Sequence, residues 1–102
     1  MERYVVITGD SGVYSGWAEG GVSALGADGR CVLRDARHLR RYCVMGRVGD
    51  GSALDLARLG LDPSSPSVTP EHPGESVFLG VRRAYSVVEG ALASFGVAAV
   101  GP

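Results

Sequence analysis

Glycine breaks this chain more often than any other residue: 16 of its 102 positions, about twice ordinary usage. A backbone interrupted this often favours short elements joined by tight turns over long helices. The length fits one domain, residues 1–102, with a single core. Hydrophobic residues at 45% and charged residues at 21% are ordinary for a soluble globular chain. The apolar C-terminal stretch is interrupted by Glu89 and several glycines, and no run of about 18 apolar residues occurs, so no membrane partner is expected. Met1-Glu2-Arg3-Tyr4 leads straight into a strand-like pattern with no secretory apolar region, which points to a cytoplasmic location. Cys31 and Cys43 are then expected as reduced thiols.

The β-branched run at 4–8 ends at Gly9-Asp10 and reads as a first strand. A second strand is expected over 13–19, where the interior Gly16 marks a bulge or a close approach of another backbone. Gly20-Gly21 is a break, and Gly26-Ala27-Asp28-Gly29 is a turn before a third strand at 30–34. Residues 35–45 fit either a strand or a helix capped by Asp35, and the β-rich surroundings favour strand. Ser52-Ala53-Leu54-Asp55 resembles a capping box and Gly60 stands where a C-terminal glycine belongs, so 53–59 is expected to be helical. Ser86-Val87-Val88-Glu89 repeats that box, with Val88, Ala91, Leu92 and Phe95 on one face and Gly96 at the end. Between them lies a loop, 61–75, holding Pro63, Pro66, Pro70 and Pro73, followed by a strand at 76–85. A short last strand fits 97–100. The order argues for an α+β fold: a curled antiparallel β-sheet or small β-barrel with one or two short helices.

Several motifs weaken on inspection. Gly9-Asp10-Ser11-Gly12 looks like a serine-protease nucleophile segment, but only eight residues precede it, too few for the partner His and Asp. It reads as a turn. Cys31, His38, Cys43 and His72 lack zinc-site spacing, and the cysteines are better read as small apolar side chains. No metal and no cofactor is expected. Gly46-Arg47-Val48-Gly49-Asp50-Gly51 precedes a helix but lacks the lysine of a phosphate-binding loop, which leaves a plain glycine loop the better reading.

The distribution of charge is sharper. Residues 30–47 hold six of the ten arginines and one acid, a formal charge of +5 in a chain of net −1. Lys, Asn and Gln are absent, as in a GC-rich genome, which accounts for arginine number but not for its clustering. Guanidinium groups bind phosphate bidentately and stack on bases. The candidate ligand-binding residues are Arg37, Arg40, Arg41 and Tyr42, with Arg47 or Arg83 closing the site and Tyr14 and Trp17 offering aromatic faces. Adjacent Arg82 and Arg83, in a regular strand, would point to opposite faces. A solvated charged face explains the cluster equally well. Nucleic acid is the weaker ligand, since the sequence pI is about 6.1.

The chain resembles a family of small, largely uncharacterised phage and prophage proteins. These open with a strand followed by Ser-Ala-Gly-Val-x-x-Gly, matched here by Ser11-Gly12-Val13-Tyr14-Ser15-Gly16. Their Asn-Ala-Arg-Arg segment corresponds to Asp35-Ala36-Arg37-His38, and their Gly-Ala-x-Ser-Leu-x-x-Leu-Ala helix to Gly51-Ser52-Ala53-Leu54-Asp55-Leu56-Ala57. The late strand and capped helix correspond to Val81-Arg82-Arg83-Ala84-Tyr85-Ser86-Val87-Val88-Glu89. The motifs span nearly the whole chain, though each is short. Asp35 replaces the family's Asn, and Arg40-Arg41-Tyr42-Cys43 replaces its Trp-rich segment, which alters any stacking site built there. The resemblance implies a viral accessory protein that sequesters a molecule or partner in the host cell.

Sequence and resemblance together lead to a non-enzymatic, homo-oligomeric binder of a small anionic metabolite, nucleotide-like, such as a host immune signal. An interaction module that inhibits a host protein, through exposed apolar residues and the Pro loop, is the second expectation. A nucleic-acid binder is the third. An enzyme is the fourth, because no nucleophile or acid–base pair stands at recognisable spacing.

Overall fold

The computed structural model describes residues 2–9, 12–18, 29–46 and 52–95. The elements run β1 (Glu2–Thr8), β2 (Val13–Ala18), β3 (Cys31–Arg41), α1 (Ala53–Leu59), β4 (Ser67–Val68), β5 (His72–Phe78), β6 (Val81–Ser86) and a 3-10 helix (Glu89–Phe95). All strand pairs are antiparallel, in the order β4-β3-β2-β1-β6, with β5 also paired to β3. Of the 35–45 stretch, residues 35–41 belong to β3, as the strand reading had it, but the strand ends at Arg41 and 42–45 lie beyond it.

The connectivity forces the sheet to curl. β5 lies on the β3 edge and β6 on the β1 edge, four inter-strand steps away, or ~19 Å in a flat sheet. Only Leu79-Gly80 joins them, and three residue steps reach roughly 11 Å. The edges are therefore drawn together at this corner, where the Val81 N–H donates to the Gly29 carbonyl at 2.8 Å. Among the described residues β5 and β6 share no ladder, so the sheet is curled and not closed.

Each face of the curl buries its own cluster. Val5, Trp17 and Leu39 meet Leu56 and Ala57 of α1 and Ala91, Leu92 and Phe95 of the 3-10 helix. On the other face Tyr4, Val6, Cys31, Leu33, Ala36 and Val81 pack together. Helix α1 forms as its sequence dictates: the Ser52 hydroxyl accepts from the Asp55 N–H, and Gly60, at φ 105°, ends it.

β3 contributes to both clusters because it changes parity partway along. Ser15 opposes Arg37 while Trp17 opposes Arg34, two residues on β2 against three on β3. Cys31 and Leu33 thus face one cluster, and Leu39 faces the other. Asp35 takes φ 49° at the bulge, and its Oδ1 accepts from the Gly74 N–H at 3.1 Å. Gly16 makes room: a Cβ there would stand 2.9 Å from Leu33 Cβ and 3.0 Å from the Arg34 carbonyl oxygen. This is the close approach that its place in a strand implied.

Three expectations need correction. The strand expected over 76–85 is two strands on opposite edges, broken where Gly80 adopts φ 68°. The proline-rich 61–75 stretch is not a free loop: β4 and the start of β5 line the β3 edge, where prolines are tolerated because edge positions leave N–H groups unpaired. Ser86 does not cap a helix, since pairing with Tyr4 extends β6 through it. The helix begins at Glu89 in 3-10 form, with Val87 buried and Val88 exposed. The turn residues Asp10 and Ser11, the 47–51 loop and the 97–100 strand lie outside the described residues.

Candidate functional site

The arginine-rich stretch is divided by the fold. Arg37 turns onto the helix-covered face: its Nε donates to the Thr69 carbonyl at 3.0 Å and its NH1 to the Phe95 carbonyl at 2.7 Å. It ties the β4–β5 connection to the 3-10 helix. Arg40 and Arg41 are exposed at the end of β3, and Tyr42 packs against the covered cluster. Arg47 lies outside the described residues. Trp17 is buried in the covered cluster, while Tyr14 stacks on His38 at 4.4 Å on the opposite face. Arg83 stands on β6, three strands from β3.

A concave feature with charged residues in its lining lies at Arg83. A cleft of about 480 Å³ opens between β6, the end of β1 and the start of α1. Arg82, Arg83 and Tyr85 of β6 line it together with Ile7 of β1 and Ser52, Ala53 and Leu54 around the start of α1. Regular alternation would send Arg82 and Arg83 to opposite faces. A second bulge prevents this: Ile7 opposes Arg83 but Thr8 opposes Val81, leaving Arg82 as the extra residue. Both residues therefore line one cleft. Arg83 NH1 donates to the Tyr85 hydroxyl at 3.4 Å, and this bond raises the Arg83 pKa, keeping the group cationic.

A second cleft, about 370 Å³, sits at the β5–β6 corner with Tyr14, Phe78 and Leu79 in its lining and, among the described residues, no charged side chain. Its rings offer stacking without an anion-binding partner. Among the described residues no three His, Cys, Asp or Glu side chains gather as a metal would require. Burial pushes the Cys31 thiol above its ordinary value, away from an activated thiolate.

Two features escaped the sequence. The edge bulge has no sequence mark of its own, since Arg82-Arg83 reads as ordinary strand. The other is Arg3, which alternates with Val5 and Ile7 and so belongs on the same covered face, a signal that was present in the pattern. Its side chain is fully buried. No helix among the described residues is long and apolar enough to cross a membrane. No protein-family model, curated protein or solved structure matches this chain, so its function rests on its own geometry.

Proposed function

We propose that this protein binds and sequesters a small anionic, nucleotide-like ligand in the β6–α1 cleft, without transforming it. One observation carries the reading: with a bulge at Arg82, two adjacent arginines and Tyr85 line a single cleft. The volume lies within the range of small-molecule pockets, and the composition suits the ligand class: arginines for phosphate, a ring for a base, and apolar residues in the lining. A host nucleotide signal is the form of this ligand that the phage resemblance favours.

Thermal unfolding against cyclic and linear nucleotides, with ATP and inorganic phosphate as controls, tests it. Ligand at 100 times its dissociation constant adds about 2.7 kcal/mol, several degrees for a domain of this size. The expected result is a selective shift, lost in the Arg82→Ala, Arg83→Ala double variant and kept in Arg40→Ala, Arg41→Ala. The reverse pattern would return the site to the end of β3, and a flat panel would end the nucleotide reading.

A second reading, docking on a host protein, is favoured by one apolar patch. Val32 and Val77 oppose each other in exposed positions, and Leu79 beside them is 73% exposed. It predicts a host protein that co-purifies with the wild-type chain and is lost in Val77→Thr, Leu79→Thr.

A further inference from the structure

The Arg3 guanidinium lies under the helix-covered face with an incomplete set of partners. Its Nε donates to Ser15 Oγ at 2.9 Å and its NH2 to the Ser15 carbonyl at 3.4 Å. Its NH1 has no hydrogen-bond acceptor among the described residues, although the side chain has no solvent exposure. Buried donors are nearly always paired, and a buried charged donor more so. Among the described residues one carboxylate, Glu71, forms an ion pair with Arg3, holding an oxygen 3.9 Å from NH1, too far for a hydrogen bond. The rings of Trp17 and Phe95 stand 5.5 and 5.8 Å from the guanidinium carbon and wall the group from water.

The electrostatics lean the same way. Burial pulls the Arg3 pKa down to about 10; Glu71 opposes this, Arg37 adds to it, and Asp35 opposes it more weakly. Arg37 brings a second positive charge, and its donors at Nε and NH1 are already committed to the Thr69 and Phe95 carbonyls. Two carboxylates, Glu71 and Asp35, thus face the Arg3–Arg37 pair, and NH1 has no hydrogen bond to either. Glu71 sits on the connection between β4 and β5 with its side chain 39% exposed, so it can turn to water without breaking a strand.

We infer that Arg3 is a buried oxyanion site, separate from the β6 cleft, in which Glu71 is a displaceable internal stand-in for a small carboxylate or phosphate. An external oxyanion would bond to NH1 directly as Glu71 swings out. Ser15 would hold the guanidinium in place, and Arg37 would add attraction without moving.

Substitution of Glu71 by alanine removes the stand-in and vacates the space its carboxylate fills beside NH1. Melting temperature is measured for wild type and Glu71→Ala in chloride, inorganic phosphate and acetate at matched ionic strength. In chloride Glu71→Ala should melt below wild type. Phosphate or acetate should restore it along a saturating curve, with an apparent dissociation constant about tenfold tighter than in wild type, where Glu71 competes. Which of the two rescues better identifies the preferred oxyanion. Equal melting of Glu71→Ala in all three salts would overturn the site. So would a non-saturating rise shared equally by wild type, the mark of general salt exclusion. Arg3→Met in the Glu71→Ala background should abolish rescue; should that variant not fold, the shape of the Glu71→Ala curve alone decides.

Discussion

Two β-bulges, one inside the sheet and one at its edge, do opposite things with the same kind of side chain. The inner bulge, at Asp35, turns Arg37 onto the covered face, where two backbone carbonyls take its N–H groups. The edge bulge, at Arg82, leaves Arg82 and Arg83 both exposed and lining one cleft. A bulge re-aims a side chain, but the surroundings decide its use. Inside the sheet, strands on both sides must accommodate the extra residue, so Gly16, Asp35 and Gly74 are recruited and Arg37 becomes part of the scaffold. At the edge only β1 is involved, and the arginines stay exposed.

The most severe way to break this contrast is to fill the space that the inner bulge uses. In Gly16→Val the new Cβ meets main chain on β3, with the Arg34 oxygen at 3.0 Å and Ala36 Cα at 3.3 Å, neither able to rotate aside. Overpacking that moves backbone should cost about 3 kcal/mol, read as a fall in the urea midpoint. Arg82→Ala, the matching insult at the edge, should leave that midpoint unchanged. An edge substitution as damaging as the inner one would erase the distinction.

Arg37→Met comes next. It strands the Thr69 and Phe95 carbonyls, and loss of two charge-assisted hydrogen bonds should cost about 2 kcal/mol. Relief of the repulsion between Arg37 and Arg3 offsets part of this. Arg37→Lys should recover only some of the loss, because an ammonium is a point donor and cannot reach two carbonyls as a fork does. Faster amide exchange in the 3-10 helix would locate the damage where Arg37 attaches; uniform change across the sheet would speak against a local tie.

How much of this was legible follows from the range of the forces involved. Ser52 and Gly60 mark α1 because capping acts within one turn, and Gly16 marks the inner bulge because a missing Cβ is written in the residue itself. Ser86 misled because a cap competes with a ladder, and the partner that decides, Tyr4, lies 82 positions away. The same reach hid the break at Leu79-Gly80, which only pairing with two different strands requires. The arginine cluster at 30–47 was real in sequence, yet local order could not foretell that Arg37 would be spent on carbonyls while Arg82 and Arg83 would share a cleft. Composition locates charge along the chain; pairing register locates it in space.

The finest test concerns Asp35, which does two things at once. At φ 49° it occupies left-handed backbone, tolerated by Asn and Asp but not by Ala, and its Oδ1 holds the Gly74 N–H. Asp35→Ala loses both, for about 1–2 kcal/mol. Asp35→Gly relieves the backbone but forfeits the hydrogen bond, so it should fall between Ala and wild type. Asp35→Asn keeps both and removes only the charge, which acts favourably on Arg3 from a distance. If the bulge is a matter of backbone geometry, Asn should match wild type to within about 0.5 kcal/mol in urea unfolding. If Asn instead loses as much as Ala, the inner bulge serves chiefly to hold a negative charge toward Arg3, and its likeness to the edge bulge would run deeper than shape: both would then be devices for placing charge.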